Sequence, residues 1–298
     1  MDFGRVESLD TISFDLPEGW HALSSNPVDD FQVKVGLPIW ANPAWHGKIY
    51  SATDKEGQGL KAYAQLYQTI ELNVTHYQIP SQDRWKQWDD ATPDSFSFCS
   101  KFPQKISHEQ ALLGTQSLTQ AFVDYLRGLG KKAGPSFLQL PPTFGPRLQD
   151  RLWHYLQDWP KDLAIQVEFR HPDWFNDPKT WQKTCELLQE KKVGLVCSDV
   201  PGRRDVVHAS ITHDTLFLRF VGHELHPTDF TRTDAWIQDK IMYWRGLGLK
   251  NAFIFIHCGD NTLAPELANY WIKNLNRLLA LDLPIVPIRP QFVQGQLF

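Results

Sequence analysis

The 298 residues contain only four cysteines, and none stands close to another along the chain. Cys99, Cys185, Cys197 and Cys258 form no C-x-x-C pair, which argues against a sequence-local zinc knuckle or a thioredoxin-like site. Three of them sit in apolar stretches, where a thiol packs as a small hydrophobe. Long apolar runs are also missing: none approaches the ~18 residues of a membrane span. The opening MDFGRVESLD is acidic and mixed, with no basic-then-apolar leader. The expectation is a soluble, cytoplasmic protein with no membrane partner. No block of five like charges occurs and the net charge is −4, which argues against a dedicated nucleic-acid surface. A phosphate loop is lacking too. GLGKKAG, Gly128 to Gly134, has the wrong spacing for a dinucleotide fingerprint and precedes a strand-like run instead of following one. No internal repeat stands out, and no cofactor is expected.

What the chain does have is an ordinary globular mix, 42% hydrophobic and 21% charged, at a length that suits one large domain or two ordinary ones. Tryptophan is abundant, with 12 copies; core packing accounts for most, and an aromatic-lined cleft could use some. The one sequon, Asn73-Val74-Thr75, falls in a strand-like run of a protein expected not to be secreted and carries no weight.

Eight short β-like runs punctuate the chain: 31–37, 69–75, 96–101, 136–140, 164–170, 193–199, 215–220 and 252–257. Helical apolar stripes lie between most of them. One carries Tyr63, Leu66, Tyr67 and Ile70; another Leu118, Phe122, Leu126 and Leu129, with Gly130 as its stop; a third Leu148, Leu152, Leu156 and Trp159. The next opens on Asp177-Pro178, a good N-cap and first-turn pair, and shows Trp181, Cys185 and Leu188. Two more carry Ile237, Ile241 and Trp244, and Leu267, Trp271, Leu275 and Leu278. Strands alternating with single helices predict a parallel sheet, and eight such units in about 250 residues predict a TIM (β/α)8 barrel. A doubly wound open sheet is the alternative, but its strands read as near-continuous apolar runs, whereas several here alternate. The connection 200–214 shows no helical pattern, so the sixth βα unit is expected to be irregular. The expected organisation is one domain over 1–298, with an N-terminal extension (1–30), the barrel (31–280) and a C-terminal tail (281–298).

In a barrel, alternate strand residues point inward and chemistry sits at the C-terminal strand ends. That rule sends Glu71 and Asn73 inward from TIELNV, Lys101 from SFSFCSK, Gln139 from FLQL, and Gln166, Glu168 and Arg170 from IQVEFR. Asp199 ends its strand in phase with Leu195 and Cys197, Arg219 is in phase with Phe217, and His257 with Phe253 and Phe255. Charges of both signs therefore converge on one end of the barrel. Such charges are rarely buried unpaired, so an ion-pair network that plugs the mouth is one reading. The other is a polar pocket whose acids and bases shift one another's pKa and move protons. His171, just past a strand end, is either an anion or proton site or a loop anchor; Trp174 reads as packing. Asn261 sits in the loop before the last helix, and His76 and His108 carry less weight.

Several separated segments resemble those of the YecE-like family, domain of unknown function 72. They are TIELNVTHYQIPS, RWKQWDDATPDSFSFCSKFPQKISH, FLQLPPTF, VEFRHPDWF and LFLRFVG, spread over about residues 31–280. The resemblance implies a TIM barrel and no established reaction. It carries over Glu71, Lys101, Gln139, Glu168 and Arg170, and also Arg219, Gly222 and Asn261. The chain departs from the family pattern at two places. Many members end strand eight in Tyr/Phe-Asn-Asn, where this chain has IHCGDN, and many carry Arg-x-His-Gly where this chain has Arg219-Phe220-Val221-Gly222-His223.

The functional expectation is acid–base chemistry on a small polar or anionic substrate (carboxylate, phosphate or sugar-like) by a cofactor-free hydrolase, lyase or isomerase. Glu71, Lys101 and Glu168 are the expected catalytic residues. Asn73, Gln139, Arg170, His171, Asp199, Arg219, His257 and Asn261 are the expected substrate contacts. One alternative is a metal-dependent enzyme, with Glu71, Glu168, Asp199 and His257 as ligands. The other is a ligand-binding barrel without chemistry.

Overall fold

All eight β-like runs form strands: β1 Gln32–Leu37, β2 Thr69–Leu72, β3 Ser97–Ser100, β4 Ser136–Gln139, β5 Ile165–Glu168, β6 Gly194–Asp199, β7 Thr215–Gly222 and β8 Asn251–Cys258. The computed structural model of the chain describes residues 6, 8–23, 30–52 and 59–290; parts of the expected extension and tail lie outside the described residues. The strands are parallel and hydrogen-bonded in the order β3-β2-β1-β8-β7-β6-β5-β4. The ends of this sheet meet: Lys101, just past β3, bridges Phe137 of β4, and the Phe102 N–H donates to the Phe137 carbonyl at 3.0 Å. The result is a nearly closed TIM-like (β/α)8 barrel.

The alternation within the strands builds two cores. Outward residues such as Ile70, Phe98, Leu138, Val167 and Leu218 join the large shell packed under the helices. Inward residues Cys99, Phe137, Val196, Phe217 and Phe255 form a separate plug inside the barrel. Its rings lie 5.3 Å apart for Phe137–Phe217 and 4.9 Å for Phe217–Phe255. The guanidinium of Arg219 sits 5.6 Å above the Phe137 ring, so a charged layer rests on an apolar one.

The helices follow their caps. Asp177 accepts hydrogen bonds from the Lys179 and Thr180 N–H groups, and Pro178 begins helix Pro178–Glu190. Helix Ala264–Leu279 covers β8 and β1. The stripe expected to run from Tyr63 to Ile70 does not: the helix is Gly59–Tyr63, and Ile70 belongs to β2. The Tyr63 hydroxyl donates to the Thr69 carbonyl at 2.8 Å and accepts from the Leu37 N–H at 2.7 Å, pinning the helix end between β1 and β2. Past β6 the chain makes 3-10 turns over Pro201–Val206 in place of a full helix. The N-terminal segment packs across this irregular connection, with Ile211 N–H donating to Trp20 O and Ala22 N–H to Ile211 O. No helix among the described residues is long and apolar enough to cross a membrane.

Closing the barrel brings β1 and β2 very near each other at Gly36, where an added Cβ would lie 2.3 Å from the Thr69 carbonyl oxygen. That neighbour is backbone and cannot turn aside. Gly36→Ala is therefore expected to cost about 1–3 kcal/mol by overpacking. Urea unfolding measures it, and an unchanged midpoint would contradict this strand spacing.

Candidate active site

The C-terminal strand ends surround a cavity of about 540 Å³. Asn73, Lys101, Gln139, Arg219, His257 and Asn261, all expected from the sequence, line it. A larger cavity of about 650 Å³ opens at the opposite end of the barrel, but its charged groups, among them Lys161, Asp162, Glu190 and Lys192, are exposed side chains on the rim. The mouth is the better site because its ionisable groups are buried and converge.

Beneath the mouth lies a chain of charges. Arg219 donates from Nε to Glu71 Oε2 at 2.8 Å and from Nη2 to Glu71 Oε1 at 2.9 Å, a bidentate pair. Its Nη1 reaches Glu168 Oε2 at 3.1 Å. Glu168 also accepts from Arg170 Nε and Gln139 Nε2, each at 2.8 Å. Glu71 also accepts from Asn73 Nδ2 at 2.9 Å and His257 Nε2 at 3.0 Å. Both carboxylates are almost fully buried. Burial alone would push the Glu71 carboxyl up, but Arg219 and His257 outweigh it and hold it well below the usual carboxylate range. Burial acts on Glu168 in the same way, and Arg170 and Arg219 bring it down to about 2. Both therefore remain ionised at any physiological pH.

Lys101 is different. It is 5% exposed, lines the cavity, and makes no ion pair or side-chain hydrogen bond among the described residues. Burial, then the repulsion of Arg219, pushes its ammonium down to about 8, although Glu168 and Glu71 pull the other way. The floor holds two carboxylates and two guanidinium groups, so Lys101 is the charge left over.

Three expected contacts do not line the cavity: Arg170 lies beneath it on Glu168, and two lie elsewhere. Asp199 faces the helices. In the β6–β7 register Ser198 is opposite the inward Arg219, and Asp199 is opposite the outward Phe220. Asp199 accepts from Arg204, from Arg232 Nη1 at 2.8 Å and from Trp236 Nε1 at 2.6 Å. The phase is not legible in the sequence because GLVC is apolar on both faces, so GLVCSD carries no polar–apolar alternation before Ser198 and Asp199. Asp199→Asn is expected to cost roughly 3 kcal/mol, as for a broken buried ion pair, and to leave ligand affinity at the mouth unchanged. Denaturant titration and ligand titration of the same sample test both halves.

His171 is not in the cavity wall either. It anchors the turn Pro172–Trp174 by accepting the Asp173 N–H at 3.1 Å and packs against Gly145. Trp174 is buried, with Nε1 donating to Phe144 O, which is the expected packing role. The four residues considered as metal ligands do not gather at one point, because Asp199 faces outward and Arg219 stands between Glu71 and Glu168.

Of the cavity's hydrogen-bonding side chains, two carry little or no weight in the sequence. β2 stops at Leu72, Asn73 takes a helical backbone, and the single turn Val74–Tyr77 lays His76 and Tyr77 against the cavity. The signal was a His-Tyr pair three residues after an inward Asn; reading it required knowing where the strand ends.

Comparison with known proteins agrees with this architecture. The chain is 30% identical over 284 residues to UPF0759 protein YecE of Escherichia coli (strain K12), covering 89% of this chain and 100% of that one. It is 25% identical over 177 residues to UPF0759 protein YunF of Bacillus subtilis (strain 168), covering 56% of this chain and 61% of that one. Two solved structures share the fold. A DUF72 family protein from Thermotoga maritima (TM1631) has a TM-score of 0.65 at 22% identity over 82% of this chain and 99% of that one. Another from Enterococcus faecalis (EF0366) has a TM-score of 0.63 at 20% identity over 85% and 99%. The model for the protein of unknown function DUF72 matches residues 34–287, and the chain belongs to that family.

Proposed function

We propose that this barrel is an enzyme that works without an organic cofactor, by acid–base chemistry, on a small anionic molecule held at the C-terminal mouth. The observation that carries the reading is Lys101, a buried ammonium in the cavity wall with no carboxylate partner among the described residues. An anion supplies the missing counter-charge. A group held near 8 can both give and take a proton at neutral pH, which is what general acid–base catalysis asks of it. Glu71 and Glu168 serve differently from the sequence-based expectation. Locked onto Arg219 and held ionised, they position the guanidinium groups and do not shuttle protons. The same locking disfavours glycoside hydrolysis, which needs one carboxyl kept protonated. Four buried free cysteines fit a reducing cytoplasm.

A thermal-shift series with small carboxylates and phosphates tests the binding half. Anions are expected to raise the melting temperature of the wild type and not of Lys101→Met. Equal shifts in both proteins, or none in the wild type, overturn the reading. Incubation with each stabilising anion, followed by NMR, tests the chemistry. Lys101→Arg keeps the charge but stays protonated, so it is expected to bind and not to convert. A wild type that binds and converts nothing is a binding barrel.

A further inference from the structure

We infer that His76 makes the mouth selective for anions that carry their own hydroxyl group close to the charge, such as α-hydroxy acids and hydroxyalkyl phosphates. The inference rests on the anion-binding reading of Lys101 and adds a second requirement on the ligand.

The tautomer of His76 is fixed by its surroundings. Nδ1 lies 2.8 Å from the Phe102 carbonyl oxygen, which can only accept, so Nδ1 carries the proton. Nε2 is then a bare lone pair. It is buried and has no hydrogen-bond partner among the described residues. The ring is a wall of the cavity, and with Nδ1 turned to the Phe102 carbonyl, Nε2 is its unpartnered nitrogen. Burial, followed by the neighbouring Lys101 charge, pushes the imidazole down to about 4, so it stays neutral at physiological pH and acts as an acceptor. A buried acceptor left without a donor is unfavourable, and a ligand hydroxyl removes that cost.

His76 and Lys101 are held together by the backbone. The Thr75 hydroxyl donates to the Lys101 carbonyl at 2.7 Å and contacts the Leu72 carbonyl at 3.0 Å. The carbonyl that fixes His76 belongs to Phe102, the residue after Lys101. The His108 ring packs edge-on against His76 at 5.1 Å and 75°. The mouth thus presents an anion-seeking donor and a donor-seeking acceptor in one rigid unit. A simple carboxylate satisfies Lys101 alone; a hydroxy acid satisfies both.

The test compares matched anions by calorimetry: glycolate against acetate, lactate against propionate, and glycerol 3-phosphate against propyl phosphate. In the wild type the hydroxylated member of each pair is expected to bind about 10-fold tighter or more. In His76→Phe the ratio is expected to fall towards 1. Should that variant not fold, the wild type labelled with ¹⁵N-histidine gives the same answer. The resonance of an unprotonated Nε2 is expected to shift with the hydroxylated anion and to stay in place with its partner. Pairs that bind the wild type equally, or an Nε2 signal indifferent to the hydroxyl, overturn this inference and leave anion binding standing. No binding by any of these anions overturns both.

Discussion

Arg219→Met is expected to lose roughly 3–5 kcal/mol of stability at neutral pH, the range for removing one partner from a buried ion pair. The cause is the two carboxylates left behind. Arg219 supplies both hydrogen bonds of a bidentate pair to Glu71 and a third to Glu168. Without it, burial has fewer opponents, and both carboxyl pKa values rise. A buried carboxyl with a raised pKa recovers stability on acidification as it takes up a proton. The wild-type contribution of Glu168 is present above its unfolded value of about 4.5 and is lost only as pH falls through about 2. The gap between variant and wild type is therefore expected to be widest near pH 7 and to narrow towards pH 4. Denaturant titration at several pH values reads this directly. A double-mutant cycle with Glu71→Gln should show strong coupling, because the second substitution removes one of the stranded charges. A pH-independent gap would mean that Arg219 acts only through packing on Phe137.

The second large effect has the opposite sign. Lys101→Met is expected to stabilise the fold by up to roughly 3 kcal/mol at neutral pH, the burial cost of an ammonium held near 8 instead of 10.5. Methionine keeps an unbranched stem and needs no counter-charge. Below pH 8 the lysine is charged in both folded and unfolded chains, and the whole cost is present. Between 8 and 10.5 the folded protein releases its proton first and the cost fades; above 10.5 it is gone. Wild-type stability should thus climb towards that of Lys101→Met as pH rises through this window. Anion affinity of the wild type should decline through about pH 8, as the ammonium is lost. A variant that is more stable and no longer binds anions is what a functional charge predicts. A variant that is less stable would assign Lys101 to the structural network instead.

The sequence was informative wherever a strand is polar on one face and apolar on the other. In β2, β3, β5 and β7, alternation alone placed Glu71, Lys101, Glu168 and Arg219 on the inner face. It failed at β6, where GLVC is apolar on both faces and Asp199 fits either phase. Strand ends were overrun for the same kind of reason. Asn73 and the residues after it continue the β-like pattern, but the chain coils there, and His76 reaches the cavity through that turn.

What the sequence determined by itself is the barrel, its eight strands and most of the inward set, because period-two patterning and helix caps are local properties of the chain. Only the tertiary structure decided which charges neutralise one another. Arg219 meets Glu71 from 148 residues away and Glu168 from 51, contacts that exist only once the sheet has curled round on itself. Among the described residues, the same closure leaves Lys101 a cation without an ion pair and the Nε2 of His76 an acceptor without a donor, since charge balance and hydrogen-bond satisfaction are properties of a volume and not of a stretch of sequence.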